Sequence, residues 1–400
     1  MDWRKLLQPD VQHFIKNHES DDVRVLALKK SPDASWPYSL ILDQIKVRQK
    51  AKIKSPDLYE TDGIIFPPND VYEQASSSAC AAYKASLVRG GCFVDLTAGS
   101  GADSYQFAKR FNVGLLVEQD VTCADLLVHN IVALKHAGAV VCGLDVRHGD
   151  AVDVIQGMEE PVDFIFIDPQ RRESGRKGIY ELSACSPDII SLLPVLKRKT
   201  QKMMVKTSPV LDIEKAVATL GSVTQVHVVQ LHGECKEVLY LLDFLSPVER
   251  GDVKIVSVAI DSLGNVQQYF SYKMSDEKAA MPEYAMPKKY IYEPGPAFQK
   301  SGGFKSMALH FGTQKLHRHS HLYTSDSVRE DFPGKRYEVL NVVSAKAKGL
   351  GIKKADLTLR NFPGTVRDLK KKLKISDGGC YRIFATTLCD ETKKLVICHK

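Results

Sequence analysis

The sequence has no uninterrupted apolar run long enough to cross a membrane, and its first residues, MDWRKLLQPDVQHF, carry no apolar signal core. Both absences argue against insertion and export, so a cytoplasmic protein is the expectation. There is no C-x-x-C pair among the nine cysteines (80, 92, 123, 142, 185, 235, 380, 389 and 398). Several lie inside apolar strand patterns, which argues against a disulfide framework and for reduced, buried thiols. No extreme of composition marks disorder or a fibrous class: 44% of residues are hydrophobic and 26% charged. A chain of 400 residues can form two or three domains around a substantial core.

The net charge of +7 is modest, but it is unevenly placed. Residues 246–400 hold 27 Lys and Arg against 16 Asp and Glu, whereas residues 1–245 hold 28 against 32. The C-terminal part is therefore the candidate for a polyanionic partner, with a solvated lysine-rich surface as the plain alternative.

The most informative stretch is VDLTAGSGADSYQFAKRFNVGLLVEQD, residues 94–120. A strand over Cys92–Leu96 leads to an acid and a glycine turn, Asp95-Leu-Thr97-Ala-Gly99-Ser-Gly101, and a second strand, Val113–Val117, ends on Glu118 and Gln119. That is one βαβ unit, with the first glycine allowing a tight turn and the second a close approach of ligand to backbone. NAD and S-adenosylmethionine are both candidate ligands. The spacing separates them: a dinucleotide fingerprint reads G-x-G-x-x-G, and here Ser104 stands at the third glycine position. Asp95 would repel a pyrophosphate and would face a cationic ligand more comfortably.

Further alternation predicts strands at Val140–Leu144, Val162–Ile167 and Met203–Lys206 with helical crossovers, preceded by helices at Trp3–Asn17, Val23–Lys29, Ser39–Lys52 and about 69–87. Strands Val223–Leu231 and Glu237–Phe244 are joined too closely for a crossover and should be antiparallel. This Rossmann-like α/β sheet of seven strands, over residues 64–245, resembles the class I S-adenosylmethionine-dependent methyltransferases. The resemblance implies that Asp95, Thr97, Gly99 and Gly101 hold the methionine end of the cofactor, Glu118 and Gln119 the ribose, and Asp150 the adenine, with Asp145 competing for the last role.

The fourth strand ends in Asp168-Pro169-Gln170-Arg171-Arg172, which is similar to the [DN]-P-P-x signature of nucleic-acid base methyltransferases. Gln170 replaces the second proline and Arg171 the usual aromatic. Asp168 and Pro169 are the candidate acceptor-binding residues, Arg171 or Arg172 would steady a nucleic acid, and Lys206 would line the far wall. No thiol follows the fifth strand, where the chain reads Lys206-Thr207-Ser208-Pro209, and Cys185 lies in the helix-like ELSACSPDIISLL. A carbon acceptor needs a cysteine nucleophile, so a nitrogen or oxygen is favoured.

The N-terminal 1–63 reads as a helical region, 246–322 as a small α+β, ferredoxin-like domain and 323–400 as a second α+β domain, with strands at Tyr337–Val343, Asp356–Arg360, Cys380–Ala385 and Lys394–Cys398, a short helical piece through Lys346–Lys348 and a helix at Thr365–Leu373. Within the last, KYxVLxV-like, LTLRNFPGTVRDLKKKLKI and GGCYRIFATT stretches, with DPQRR, KTSP and GECKE upstream, resemble a bacterial methyltransferase family that carries a C-terminal THUMP-like domain. THUMP domains bind RNA, so Arg360, Arg367, Lys370, Lys371 and Lys374 are the expected phosphate contacts. His317, His319 and His321 alternate as on a strand face, but with no fourth ligand no metal is expected. The resulting expectation is methylation of a base nitrogen in structured RNA (tRNA or rRNA). The alternatives are an RNA-binding protein with a vestigial or regulatory pocket, and a methyltransferase acting on small molecules or proteins.

Overall fold

The computed structural model describes residues 2–171, 182–346 and 350–400, and of residue 171 the backbone. Two compact units interleave in sequence: 1–224, 238–247 and 260–266 form one, and 225–237, 248–259 and 267–400 the other. The sequence pattern by itself places boundaries at 63/64, 245/246 and 322/323. No helix among the described residues is long and apolar enough to cross a membrane.

In the first unit, helices α1 (Pro9–Asn17) and α2 (Tyr38–Lys54) pack Val11, Ile15, Ile41 and Ile45 around Trp3 and Leu6. Leu126, from the sheet part of the unit, belongs to the same core. The extended segment that follows is pinned by two buried amides. Gln44 exchanges hydrogen bonds with the backbone of Phe66 at 2.6 and 3.1 Å, and Asn130 with that of Ile65 at 2.9 and 3.0 Å. Each satisfies backbone groups that an isolated extended chain would leave buried and unpaired. The single helix expected near 69–87 is two, α3 (Asn69–Gln74) and α4 (Ser78–Ser86). Ser77 ends the continuity because its hydroxyl accepts the Cys80 N–H and caps α4.

Strands β1 (Cys92–Asp95), β2 (Val113–Glu118), β3 (Gly143–His148), β4 (Val162–Ile167) and β5 (Thr200–Thr207) are parallel, in the order β3-β2-β1-β4-β5. Between them run α5 (Ala102–Phe107), α6 (Val121–His136), α7 (Ala151–Gly157) and α8 (Ile189–Lys199). After α9 (Ile213–Leu220) and β6 (Val223–Leu231), β7 (Glu234–Asp243) returns antiparallel beside β5, Val238 opposite Thr207. The turn from β6 to β7 is two residues, His232 and Gly233, both with positive φ, as tight hairpins require. β3 begins and ends later than Val140–Leu144. It is an edge strand, so Asp145, Arg147 and His148 are tolerated in it, while the apolar Val141 just before it is 92% exposed.

In the second unit β8 (Lys254–Ile260) and β9 (Val266–Lys273) follow β6 side by side. A second sheet comprises β10 (Tyr290–Pro294), β11 (Gln314–Lys315), β12 (Tyr323–Ser325), β13 (Gly334–Ser344), β14 (Asp356–Arg360), β15 (Tyr381–Thr387) and β16 (Lys393–His399). Its order is β11-β12-β10-β13-β16-β15-β14, antiparallel except for β14 beside β15. That parallel pair is bridged by α10 (Val366–Leu373), whose Leu369 and Leu373 pack on Leu357, Ile383, Ala385, Leu395 and Ile397. Phe384, Val396 and Cys398 alternate to the other face, with Ile291, Leu316 and Tyr337. The expected short helical piece near Lys346–Lys348 falls partly outside the described residues.

One ion cluster ties this sheet together. Glu293 of β10 is buried and accepts from Arg360 of β14 and Arg382 of β15, each at 3.0 Å, while the Arg382 guanidinium lies over the Tyr337 and Phe384 rings. Removing one partner from such a cluster leaves buried charge uncompensated. Glu293→Ala should therefore destabilise the protein by about 3–5 kcal/mol in denaturant unfolding. A loss under about 1 kcal/mol would show that the cluster is not what holds these three strands in register.

Candidate active site

The site forms where β1, β2, β4 and β5 end on the same side of the sheet. Past Asp95 the chain turns sharply: the Ala98 N–H donates to the Val117 carbonyl at 2.9 Å and the Gly101 N–H to the Ala98 carbonyl at 2.8 Å. Gly99 and Gly101 have φ of +53° and +79°, which disfavour any side chain. Gly101 is doubly constrained, since a Cβ there would fall 2.4 Å from the Tyr105 ring and 2.7 Å from Leu127.

Three acids hold this turn. Asp95 is 1% exposed, accepts the Thr97 N–H at 3.0 Å and is hydrogen-bonded by the buried Ser104 hydroxyl. Burial pushes its carboxyl up to about 7, with smaller contributions from Asp103 and Asp168, against the lowering effect of those two donors. Glu118 accepts the Gly99 N–H at 2.7 Å on one oxygen and the Asp120 N–H at 2.8 Å on the other. Asp168 donates its own backbone N–H to the Thr97 hydroxyl at 2.8 Å, and its carboxylate is paired with the Lys206 ammonium. Asp95, Thr97, Asp168 and Lys206, named from motifs more than a hundred residues apart, are thus linked in one hydrogen-bonded chain.

The remaining expected residues are more loosely placed. Gln119 is exposed, and its carbonyl lies 3.2 Å from His148 Nε2. Asp150 caps α7 through the Val152 N–H at 2.7 Å, next to Gly149, whose N–H donates to the Glu118 carbonyl. Asp145 sits inside β3 opposite Leu115, away from the strand's end. Pro169 is half-buried, and Gln170 and Arg171 form a two-residue antiparallel ladder with Ser186 and Cys185. Cys185 is therefore in that ladder and not in a helix. The helix starts after Pro187, where Asp188 caps α8 through the Ile190 N–H at 3.0 Å. Arg172 lies outside the described residues.

In the second unit, the histidines expected on one strand face occupy the connection between β11 and β12. His317 is buried between Asn361 and Glu391, at 3.0 and 3.2 Å, while His321 stacks on Phe304. Among the described residues no three His, Cys, Asp or Glu side chains are grouped to hold a metal ion. Of the expected phosphate contacts, Arg360 is committed to Glu293 and Lys370 to Asp377. Arg367, Lys371 and Lys374 are exposed and follow one another at helical spacing on and just past α10, opposite Leu369 and Leu373. The exposed Lys353 and Lys354 extend this cationic edge, since Ser376, just beyond α10, bonds the Lys353 carbonyl at 3.0 Å and bridges to Lys354. Their charge in the sequence run GIKKAD was the available signal.

The chain superposes over its whole length on the crystal structure of a protein provisionally named a methyltransferase from Porphyromonas gingivalis W83. The TM-score is 0.84 and the identity 26%, with 100% of this chain and 99% of the other covered. This chain has a methyltransferase fold. Residues 290–333 match the family model of a ferredoxin-like domain and residues 334–400 that of a THUMP domain-like region, so the methyltransferase fold carries a THUMP-like C-terminal domain. A Pyrococcus horikoshii protein, PH1948, provisionally named an RNA methyltransferase, aligns at TM-score 0.30 and 18% identity, over 48% of this chain and 98% of that one. TrmK of M. capricolum, in complex with S-adenosylhomocysteine, aligns at 0.32 and 8%, over 45% and 74%. Neither score carries an argument for this chain. No curated protein sequence matches it.

The raised Asp95 carboxyl has a measurable consequence for the methyltransferase fold in its free form. Its folded value lies above the unfolded one of about 3.9. The group therefore favours folding below that value, and the contribution is lost as pH rises towards about 7. Relative to Asp95→Asn, the parental protein should lose on the order of a few kcal/mol of stability between pH 4 and pH 8. Parallel stability profiles for the two proteins would show that Asp95 ionises in the fold as readily as in the unfolded chain.

Proposed function

We propose that this chain is an S-adenosylmethionine-dependent methyltransferase that modifies a nitrogen of a base in structured RNA. The observation that carries the cofactor reading is Asp95: a carboxylate buried at a glycine turn, held by two neutral donors and in no ion pair among the described residues. A site of that kind takes a cationic ligand and disfavours a pyrophosphate. The amino-acid end of S-adenosylmethionine would lie over Asp95, Thr97, Gly99 and Gly101. Glu118, whose oxygens each retain accepting capacity, would take ribose hydroxyls together with Gln119, and Asp150 the adenine. Bound there, the cofactor supplies a methyl group already activated on a sulfonium.

What remains for the protein is to aim an electron pair at that methyl group. Asp168 is suited to accept a hydrogen bond from the N–H of an acceptor base, and Lys206 fixes its carboxylate. Pro169 shapes the turn, and Arg171 and Arg172 are assigned to the RNA. The absence of a cysteine in Lys206-Thr207-Ser208-Pro209 supports a nitrogen acceptor over a carbon. The THUMP-like match and the cationic edge of α10 support RNA as the substrate class.

Titration calorimetry should find S-adenosylmethionine binding that strengthens as pH rises to about 7 and then levels off, with proton release below that point. Asp168→Ala keeps the backbone N–H that bonds Thr97. It should retain cofactor affinity yet lose on the order of 10²-fold or more in RNA methylation rate. Parental turnover in that variant would remove Asp168 from the chemistry, and binding of NAD in place of S-adenosylmethionine would overturn the cofactor assignment.

RNA affinity of the full chain should fall with added salt, with a log–log slope of roughly −0.7 to −0.9 per phosphate neutralised. Replacing Arg367, Lys371 and Lys374 together by alanine should weaken binding and flatten that slope, leaving cofactor affinity unchanged. An unchanged slope would place the RNA elsewhere.

A further inference from the structure

The helix that follows the glycine turn, α5, has only six residues, too few to hold its own first turn in place. It is gripped from outside through three consecutive or near-consecutive polar side chains. Asp103 accepts from the Ser76 hydroxyl at 2.8 Å and lies 3.1 Å from the Lys84 ammonium, which also donates to the Ser76 hydroxyl at 3.0 Å. Ser104 is bonded to Asp95, and the Gln106 amide donates to Asp57 at 2.8 Å. Lys84 is completely buried, at 0% exposure, and Asp103 nearly so. A buried ammonium and carboxylate in contact hold their geometry tightly, because separating them exposes each to an unpaired, low-dielectric site.

These outside groups come from three N-terminal segments: Asp57 from the short helix Pro56–Glu60, Ser76 from the α3–α4 junction and Lys84 from α4. Gly101 immediately precedes the gripped turn, and Ser104 lies within it. We propose that Lys84, Ser76 and Asp57 are positioning residues for the cofactor turn, so that the helices before β1 set the geometry of residues 97–104. The effect on cofactor affinity rests on the reading given under Proposed function, whereas the effect on the turn itself does not.

Amide hydrogen exchange of the free full-length chain, compared with cofactor binding, tests this. In Lys84→Met, amides of residues 97–104 should exchange at least about tenfold faster while those of β2 and β4 keep their parental rates. S-adenosylmethionine affinity should fall by a similar factor, on the scale seen when groups that orient a binding residue are removed. Ser76→Ala, which leaves the Lys84–Asp103 pair in place, should show the same pattern to a smaller degree and serves if Lys84→Met does not fold. Parental exchange in the turn, or faster exchange spread evenly over the sheet, would overturn the proposal, as would unchanged cofactor affinity with a loosened turn. If the parental chain binds no S-adenosylmethionine, the cofactor reading falls and the exchange result alone decides whether these residues position the turn.

Discussion

A carboxylate can accept from several donors at once, and the turn after β1 depends on that capacity. Glu118 takes two backbone N–H groups from two different loops, Asp95 takes one N–H and one hydroxyl, and Thr97 links the turn to the end of β4. Without these acceptors a loop so poor in internal hydrogen bonds would leave its amides unpaired at the mouth of the sheet. The cost is a concentration of negative charge. Two lysines answer it, Lys206 against Asp168 and Lys84 against Asp103, and both are placed so as to leave Asp95 unanswered. The same arrangement that orders the turn thus creates its demand for a cation.

Much of this was legible because it is local. The glycine spacing, the acids ending β1, β2 and β4, the crossovers and the C-terminal β-α-β pattern all follow from periodicity and turn chemistry over windows of a few residues. β14 falls at Asp356–Arg360 as read, and α10 begins one residue later than expected. What failed to show was what depends on distant partners. β3 was misplaced because an edge strand is exempt from the apolar pattern used to find it. The helix near 69–87 is broken by a serine whose capping role competes with its place in a helix. Arg360 read as a free cation because Glu293 is 67 residues away. Lys84 gave no signal at all, since one lysine in a polar-edged helix ordinarily faces water and only the packing of α4 on α5 buries it.

The charge imbalance between the two parts of the sequence has a matching physical difference. In the first unit the lysines near the site are consumed by carboxylates, whereas along α10 the spacing of Arg367, Lys371 and Lys374 keeps three cations on the face opposite the apolar contacts. Lysines held in ion pairs contribute little to attracting a polyanion, and unpaired ones at regular spacing contribute most. The 27 basic side chains over residues 246–400 therefore overstate the cations open to a partner, because Arg360 and Arg382 are held by Glu293 and Lys370 by Asp377.

Ser104 connects the sequence motif to the chemistry most directly. In a dinucleotide site the third glycine serves packing alone, letting the helix approach the strand. Here a fully buried serine fills that position and turns its hydroxyl onto Asp95, so the contact that a glycine would leave empty becomes a hydrogen bond to the acid. One residue cannot do both. A glycine there would remove one of Asp95's two donors, raise the carboxyl further and favour its neutral form. A neutral Asp95 would no longer repel a pyrophosphate, and it would no longer hold a cation. The serine at the third glycine position and the buried acid therefore act together: the residue that breaks the dinucleotide pattern is also the one that keeps the acid able to ionise.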